Sequence, residues 1–534
     1  MTDSTRQSIT LAIALLLLDA SLTFENIWPT PAIRWSGELS IELAALLLFL
    51  GVARRAPGTS PRAARWLALL WLILFLGHYA DVTAPALYGR DVNLYWDLRY
   101  VPDVAAMLTR AVPAWLLIAI AGAVVLFVIA AYATMRWAIG RVLDAMARPV
   151  ERRVLGAVAI AIVAGFVLEP IVRPPPDVFE TRRRWFPTPV TGTYARQTAL
   201  AVSAVTRSVP LAPSPPMDSD LALVRDTDVL LMFIESYGAV TFERPELSGP
   251  IASSRSALEK AVRDTRRGVV SAFVESPTFG GSSWFAHITL LSGIEVGDPH
   301  TNAQLLTEKR ETLATVFARA GFRTIAWMPG LRQAWPEGKF YGFTDIFNAG
   351  RIDYHGPEFG WFAIPDQFSL ARLDALELSA PSRARLFVFF PTLTTHVPFG
   401  PTPVYQPDWP RMLTDTPYDP AQIVASYATE PDYVDFGPGY ARAVSYAYQT
   451  IAGFLQYRAD RDFVLILIGD HQPPALVSGE GAPWDVPVHV ITNRTAVLER
   501  LRTRGFHTGI TPARPALGKM HTLLPILLDG FGNR

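Results

Sequence analysis

The sequence predicts a two-part chain: an N-terminal bundle of five transmembrane helices, then an α/β domain whose mainly parallel sheet is covered by helices on both faces. Three observations carry this expectation. Hydrophobic residues make up 50% of the 534 positions and charged residues only 18%, an apolar balance for a purely soluble protein. That surplus is concentrated in five stretches before about residue 173. Beyond residue 226, short continuous apolar runs alternate with helix-like segments, the pattern of a parallel sheet buried on both sides.

The five stretches run roughly Ile9–Phe24, Leu39–Ala53, Trp66–Tyr79, Val112–Ala133 and Val154–Val172. Each approaches the ~20 residues that cross a bilayer, the second and third being short. No small-residue cleavage site follows the first, so it does not read as a signal peptide. Loop charge sets the orientation. Arg54, Arg55, Arg62 and Arg65 follow the second stretch, and Arg136, Arg141, Arg148, Arg152 and Arg153 follow the fourth. The positive-inside rule places these loops in the cytoplasm. The N-terminus is then inside, and everything after about residue 173 lies outside.

Residues 174–225 read as a connector. Pro174, Pro175 and Pro176 stop a helix. Arg182, Arg183 and Arg184 beside Trp185 and Phe186 suit an interfacial segment at headgroup depth. The zero net charge gives no electrostatic footprint for nucleic acid. The absence of cysteine excludes thiolate metal sites, cysteine nucleophiles and disulfides.

From residue 226 onward, strands are expected at Val229–Ile234, Val269–Val274, Thr324–Met328, Leu386–Phe390, Phe463–Ile468 and Val486–Ile491. Helices are expected at Ser256–Arg263, Thr312–Ala320 and Tyr440–Tyr457. Sheets of this kind bind ligands at the carboxyl ends of their strands, and the residues there bear chemistry. Glu235 follows the first strand directly, and a buried carboxylate is costly unless paired, hydrogen-bonded or metal-bound. Asp470 and His471 follow Phe463–Ile468 and Gly469, and oxygen plus imidazole suits zinc or manganese. Ser282 and Ser283 follow Gly280 and Gly281 at the start of an apolar helix. There a serine caps the helix, or meets an anion as a nucleophile whose pKa a metal lowers. His396 follows Leu386–Phe390 in Thr-Leu-Thr-Thr-His-Val-Pro-Phe, placed to bind phosphate, bind a second metal or protonate a leaving group. His489, His507 and His521 are further candidates for a second metal, though each reads as structural. No glycine-rich nucleotide loop and no Gly-x-Ser-x-Gly elbow is present.

This set resembles the alkaline phosphatase and sulfatase superfamily, in particular lipoteichoic acid synthase and the periplasmic phosphoglycerol and phosphoethanolamine transferases. The likeness covers roughly Asp228 to Leu528. It implies an alkaline phosphatase-like fold and one divalent metal ion (Mn, Zn or Mg), or two. It implies metal ligands Glu235, Asp470 and His471, and a phosphate-contacting His396. Sulfatases place the nucleophile ten residues before a helix-closing glycine, which makes Ser283 the nucleophile and a metal ligand, with Ser282 the runner-up. The sulfatase Cys-x-Pro-Ser-Arg signature is absent, since Phe285, Ala286 and His287 stand at its last three positions. That argues against sulfate-ester hydrolysis. A Trp-x-Arg substrate segment is matched by Trp335, but Glu337 replaces the arginine, and Arg332 or Lys339 is the candidate substitute. The expected activity is transfer of a phospholipid headgroup, phosphoglycerol or phosphoethanolamine, to a glycan or glycolipid hydroxyl through a phospho-serine. The expected setting is a bacterial inner membrane, with the catalytic domain in the periplasm. A phosphodiesterase or phosphatase using water, and a non-catalytic receptor with a degenerate site, are the alternatives.

Overall fold

The computed structural model describes all residues except 1–2, 54–60, 99–100, 103–104, 106–108, 110–112, 173–184, 207–210, 334 and 534. The chain divides into two compact units, Met1–Arg207 and Ser208–Arg534.

In the first unit, all five apolar stretches contain helix: α1 (Asp3–Ala20), α2 (Ile41–Ala53), α3 (Pro61–Tyr88), α4 (Ala114–Ala147) and α5 (Pro149–Val172). Three helices, Arg62–Tyr88, Ala114–Ala147 and Pro149–Val172, are long and apolar enough to cross a membrane. The expectation of five such helices is met at three. The 13 residues of α2 extend about 20 Å, short of a hydrocarbon core of about 30 Å. Helix α1 carries Asp3, Arg6 and Asp19 within its length. On α4, Val124, Val125, Leu126, Phe127 and Ile129 are all exposed, which is stable only against an apolar surround.

The connector holds a helix that periodicity did not reveal, α6 (Val190–Thr206). It is fastened to α3: Thr193 Oγ1 donates to Asp81 at 2.8 Å, and Tyr194 donates to the Ile73 carbonyl at 2.5 Å. The run Pro174–Pro176 and Arg182–Arg184 lies outside the described residues.

The second unit is built on an eight-stranded sheet. The strands relevant here are β1 (Asp228–Ile234), β2 (Gly268–Glu275), β3 (Arg323–Trp327), β4 (Asp345–Phe347), β5 (Leu386–Pro391), β6 (Phe463–Gly469), β7 (Asp485–Thr492) and β8 (His507–Thr508). In space the order is β8-β2-β7-β6-β1-β5-β3-β4. Five neighbouring strands, β6, β1, β5, β3 and β4, are mutually parallel. The other three complete the sheet through antiparallel pairs, so the sheet is mixed. The expected strand Val486–Ile491 is present but runs against β6. It returns from β6 through a segment containing only the four-residue helix Ala475–Ser478, too little for the covered crossover that parallel neighbours need. Strand β2 runs antiparallel to β7 in turn, so its carboxyl end lies with those of β1 and β6.

Alternation along the central strands explains why the sequence folds this way. Leu230, Met232 and Ile234 face one core, and Val229, Leu231 and Phe233 face the other. Helices α7 (Pro245–Asp264) and α11 (Gly437–Tyr457) close the first core with Ile251, Leu258, Val444 and Ile451. Helices α8 (Ser283–Ser292), α9 (Leu313–Arg319) and α12 (Leu523–Phe531) close the second with Ile288, Phe317 and Leu527. Helix α10 (Asp366–Leu373) adds Phe368 and Leu370 to the first core. Each such side chain contributes roughly 1.5–3 kcal/mol by leaving water. Met217, Leu221 and Val224 are buried in the second core, so part of the expected connector belongs to the domain.

At the opposite end of the sheet from the carboxyl termini, Arg383 grips Asp228 with two bonds, 2.8 and 2.6 Å, while Asp228 also accepts the Leu386 N–H at 2.9 Å. The pair is largely buried and joins the starts of β1 and β5. Removing one partner leaves an uncompensated buried charge. Arg383→Ala is expected to destabilise the domain by about 3–5 kcal/mol, read as a lowered denaturation midpoint in urea.

Candidate active site

The carboxyl ends of β1 and β6 bring Glu235, Asp470 and His471 together. All three are buried, and each offers one ligand atom within 4.8 Å of the others. Close packing of the two strand ends requires glycine at 469: a Cβ there would lie 1.9 Å from the Tyr237 carbonyl oxygen. Asp470 ties the ends together, its Oδ1 accepting the N–H groups of Ser236 and His471, both at 2.7 Å. The His471 Nδ1 lies 2.7 Å from the Gln472 carbonyl, which can only accept. Nδ1 therefore carries a proton, and Nε2 turns towards Glu235 at 3.3 Å.

Ser283 joins this cluster from α8. Its hydroxyl donates to Glu235 Oε2 at 2.9 Å and lies 3.3 Å from His471 Nε2. It is the first residue of a ten-residue helix, so the positive end of the helix dipole faces the same place. The helix ends at Gly293, whose φ of 68° forms the left-handed cap. Ser282 occupies the N-cap position with a φ of 64° and makes no side-chain capping bond. The expected serine cap is thus not formed, and Ser283 rather than Ser282 meets the cluster.

The charges here are strongly coupled. Burial pulls Glu235 upward, but its bond to His471 and that residue's positive charge hold it below the usual carboxylate range. Burial and the neighbouring Glu235 charge push Asp470 well above that range. Burial pulls His471 down, yet the charge of Asp470 and the Glu235 bond carry it up to about 9. Two buried carboxylates thus retain protons in their midst. Oxygen, oxygen and imidazole donors facing one point, with a hydroxyl beside them, suit zinc, manganese or magnesium.

His396 lies beyond β5, in the turn that follows Thr392, whose hydroxyl accepts the Glu235 N–H. Its ring meets Phe362 edge-on at 5.0 Å. Arg332 and Trp335 lie beyond the carboxyl end of β3. Arg332 donates to the Trp361 carbonyl at 3.3 Å, and Trp335 packs on Tyr341 at 5.2 Å. Among the described residues neither hydrogen-bonds to the cluster. The other histidines have separate roles. His489 sits in a chain in which Ser271 donates to the Gly509 carbonyl at 2.6 Å. The His489 Nδ1–H therefore donates to Ser271 at 2.7 Å, and Tyr237 donates to Nε2 at 2.9 Å. His507 is exposed on β8, and His521 neighbours Glu295 at 4.0 Å.

Sequence reasoning missed the supports. Thr392 accepts the Glu235 N–H at 3.2 Å, and Tyr440 donates to the Ser236 carbonyl at 2.7 Å. It also missed Asp366, which holds the loop before His396. Only the position of Thr392, next to the end of a strand, was a usable signal.

Neither a protein-family model nor a curated protein matches the sequence. Solved structures do. The lipoteichoic acid synthase LtaP from Listeria monocytogenes is similar at 12% identity and a TM-score of 0.38, over 61% of this chain and 76% of that one. A protein in the alkaline phosphatase superfamily from Vibrio parahaemolyticus is similar at 15% identity and 0.38, over 62% and 73%. The Streptococcus pyogenes phosphoglycerol transferase GacH, in complex with sn-glycerol-1-phosphate, is similar at 14% and 0.35, over 58% and 76%.

A divalent cation must displace protons from this cluster, because it needs His471 neutral and Asp470 ionised. Affinity for Mn²⁺ or Zn²⁺ is therefore expected to rise with pH up to about 9, the value to which His471 is carried. Calorimetry in two buffers of different ionisation enthalpy should show proton release. Asp470→Ala should abolish stoichiometric binding.

Proposed function

We propose that this chain is a membrane-anchored, metal-dependent transferase that moves a phospholipid headgroup, phosphoglycerol or phosphoethanolamine, to a glycan or glycolipid hydroxyl. The observation that carries the reading is the Ser283 hydroxyl, held at 2.9 Å from Glu235 and 3.3 Å from His471 at the start of a helix. A nucleophile, a cation-binding set and a helix dipole there favour an anionic phosphate ester. The resemblance in the residues around Glu235, Ser283, His396 and Asp470–His471 supports the same class.

Glu235, Asp470 and His471 would hold the cation, with Ser283 as its neighbour. When bound, it lowers the pKa of a nearby hydroxyl and offsets phosphate charge. Ser283 Oγ releases its hydroxyl proton to solvent and forms a bond to phosphorus, while the bond from phosphorus to the diacylglycerol oxygen breaks. That oxygen takes up a proton, a transfer for which His396 is the candidate donor. In the second half, an acceptor hydroxyl attacks the phospho-serine. The Oγ–phosphorus bond breaks, and Ser283 Oγ takes up the proton that the acceptor hydroxyl gives up. His396, Arg332, Trp335 and Ser282 are the candidates for contacting the phosphate and its headgroup.

A five-span anchor in a bacterial inner membrane, with the N-terminus inside and the second unit in the periplasm, completes the proposal. It rests on the arginine-rich loops and on the three long apolar helices. An anchored site stays close to a lipid donor.

Purified protein with Mn²⁺, labelled phosphatidylglycerol or phosphatidylethanolamine, and an oligosaccharide acceptor should yield diacylglycerol and labelled glycan. Ser283→Ala should lower turnover by about a thousandfold or more. Release of free headgroup phosphate alone would replace the transferase reading with that of a phosphodiesterase.

A further inference from the structure

Asp366 is a buried acid at the first position of α10, only 3% exposed. An acid there is ordinarily explained by the helix dipole. Asp366 does something else. Both oxygens go to a different segment. Oδ1 accepts the Leu393 N–H at 2.7 Å and Oδ2 accepts the Thr394 N–H at 3.0 Å. The Asp366 N–H returns a weaker bond to Thr394 Oγ1 at 3.4 Å.

The same segment is fixed at its other end. The Thr392 N–H donates to the Phe233 carbonyl at 2.8 Å, and its hydroxyl accepts from Glu235. His396 closes the turn by donating its N–H to the Leu393 carbonyl at 3.0 Å. Its Nδ1 lies 2.5 Å from the Val397 carbonyl, so Nδ1–H donates and Nε2 stays available to a ligand. A carboxylate accepting two successive backbone N–H groups fixes both the position and the orientation of a loop.

We propose that Asp366 is a positioning residue that acts through His396, holding the Leu393–His396 turn so that the His396 ring faces phosphate above the Glu235–Asp470–His471 cluster. This rests on the reading of His396 as a phosphate contact. Asn at 366 has one acceptor oxygen and would set an NH₂ group against a backbone N–H. The loop is then released while the cation ligands stay in place.

The test uses the full-length, Mn²⁺-loaded protein and inorganic phosphate, with both affinities measured by calorimetry. His396→Ala and Asp366→Asn should each weaken phosphate binding by about tenfold, while Mn²⁺ affinity changes less than about twofold. The double variant should bind phosphate no more weakly than His396→Ala alone, because one residue works through the other. Asp366→Glu, which keeps the charge but not the reach, should fall between Asp366→Asn and the parent. It also serves where Asp366→Asn does not fold. Weakened binding in His396→Ala with full affinity in both Asp366 variants, or additive losses in the double variant, overturns the assignment. Unchanged phosphate binding in His396→Ala overturns the reading of His396 itself.

Discussion

Two carboxylates, Glu235 and Asp470, are buried side by side at the end of the central strands, and the surrounding structure is organised by that burden. Charge of this density in a dry interior is expensive unless matched by donors or a cation. Asp470 is matched first by two backbone N–H groups, one from each strand end. Glu235 is matched by His471 and by the Ser283 hydroxyl. The helix carrying Ser283 brings a donor to these oxygens, and the glycine at 469 lets the two strand ends approach. The same need suits the place to a divalent cation, which can replace the shared protons.

Much of this was legible in the sequence because burial leaves a local signature. Continuous apolar runs located β1, β5 and β6, since both faces of those strands are covered. An acid directly after such a run is anomalous, and Glu235 and Asp470 stand out for that reason. The spacing from Ser283 to Gly293 was readable through the resemblance to sulfatases, and Gly293 does close the helix in the left-handed conformation. The five apolar stretches were equally visible.

Other features depend on contacts distant in sequence. The antiparallel course of β7 depends on how little structure separates it from β6, not on its own residues. Helix α6 is held by Asp81 and Ile73 of α3, so its own weak pattern hid it. Asp366 looks like an ordinary helix-start acid, and only the fold shows that it grips a turn 27 residues away. Charge along α1 and shortness in α2 were in plain view, yet length and charge limits separate them from the three helices apt for spanning a membrane.

In the proposed function, apolar helices retain the chain at a lipid surface, and the sheet presents the Ser283 hydroxyl beside the Glu235, Asp470 and His471 donors. That function requires Ser283 to become covalently modified during turnover. The direct measurement is mass spectrometry of peptides from protein quenched during reaction with phosphatidylglycerol and Mn²⁺. The headgroup phosphate is expected on the peptide containing Ser283, and is expected to be absent when Glu235 is replaced by alanine. Turnover with no adduct on Ser283, or an adduct on Ser282 in its place, would contradict it.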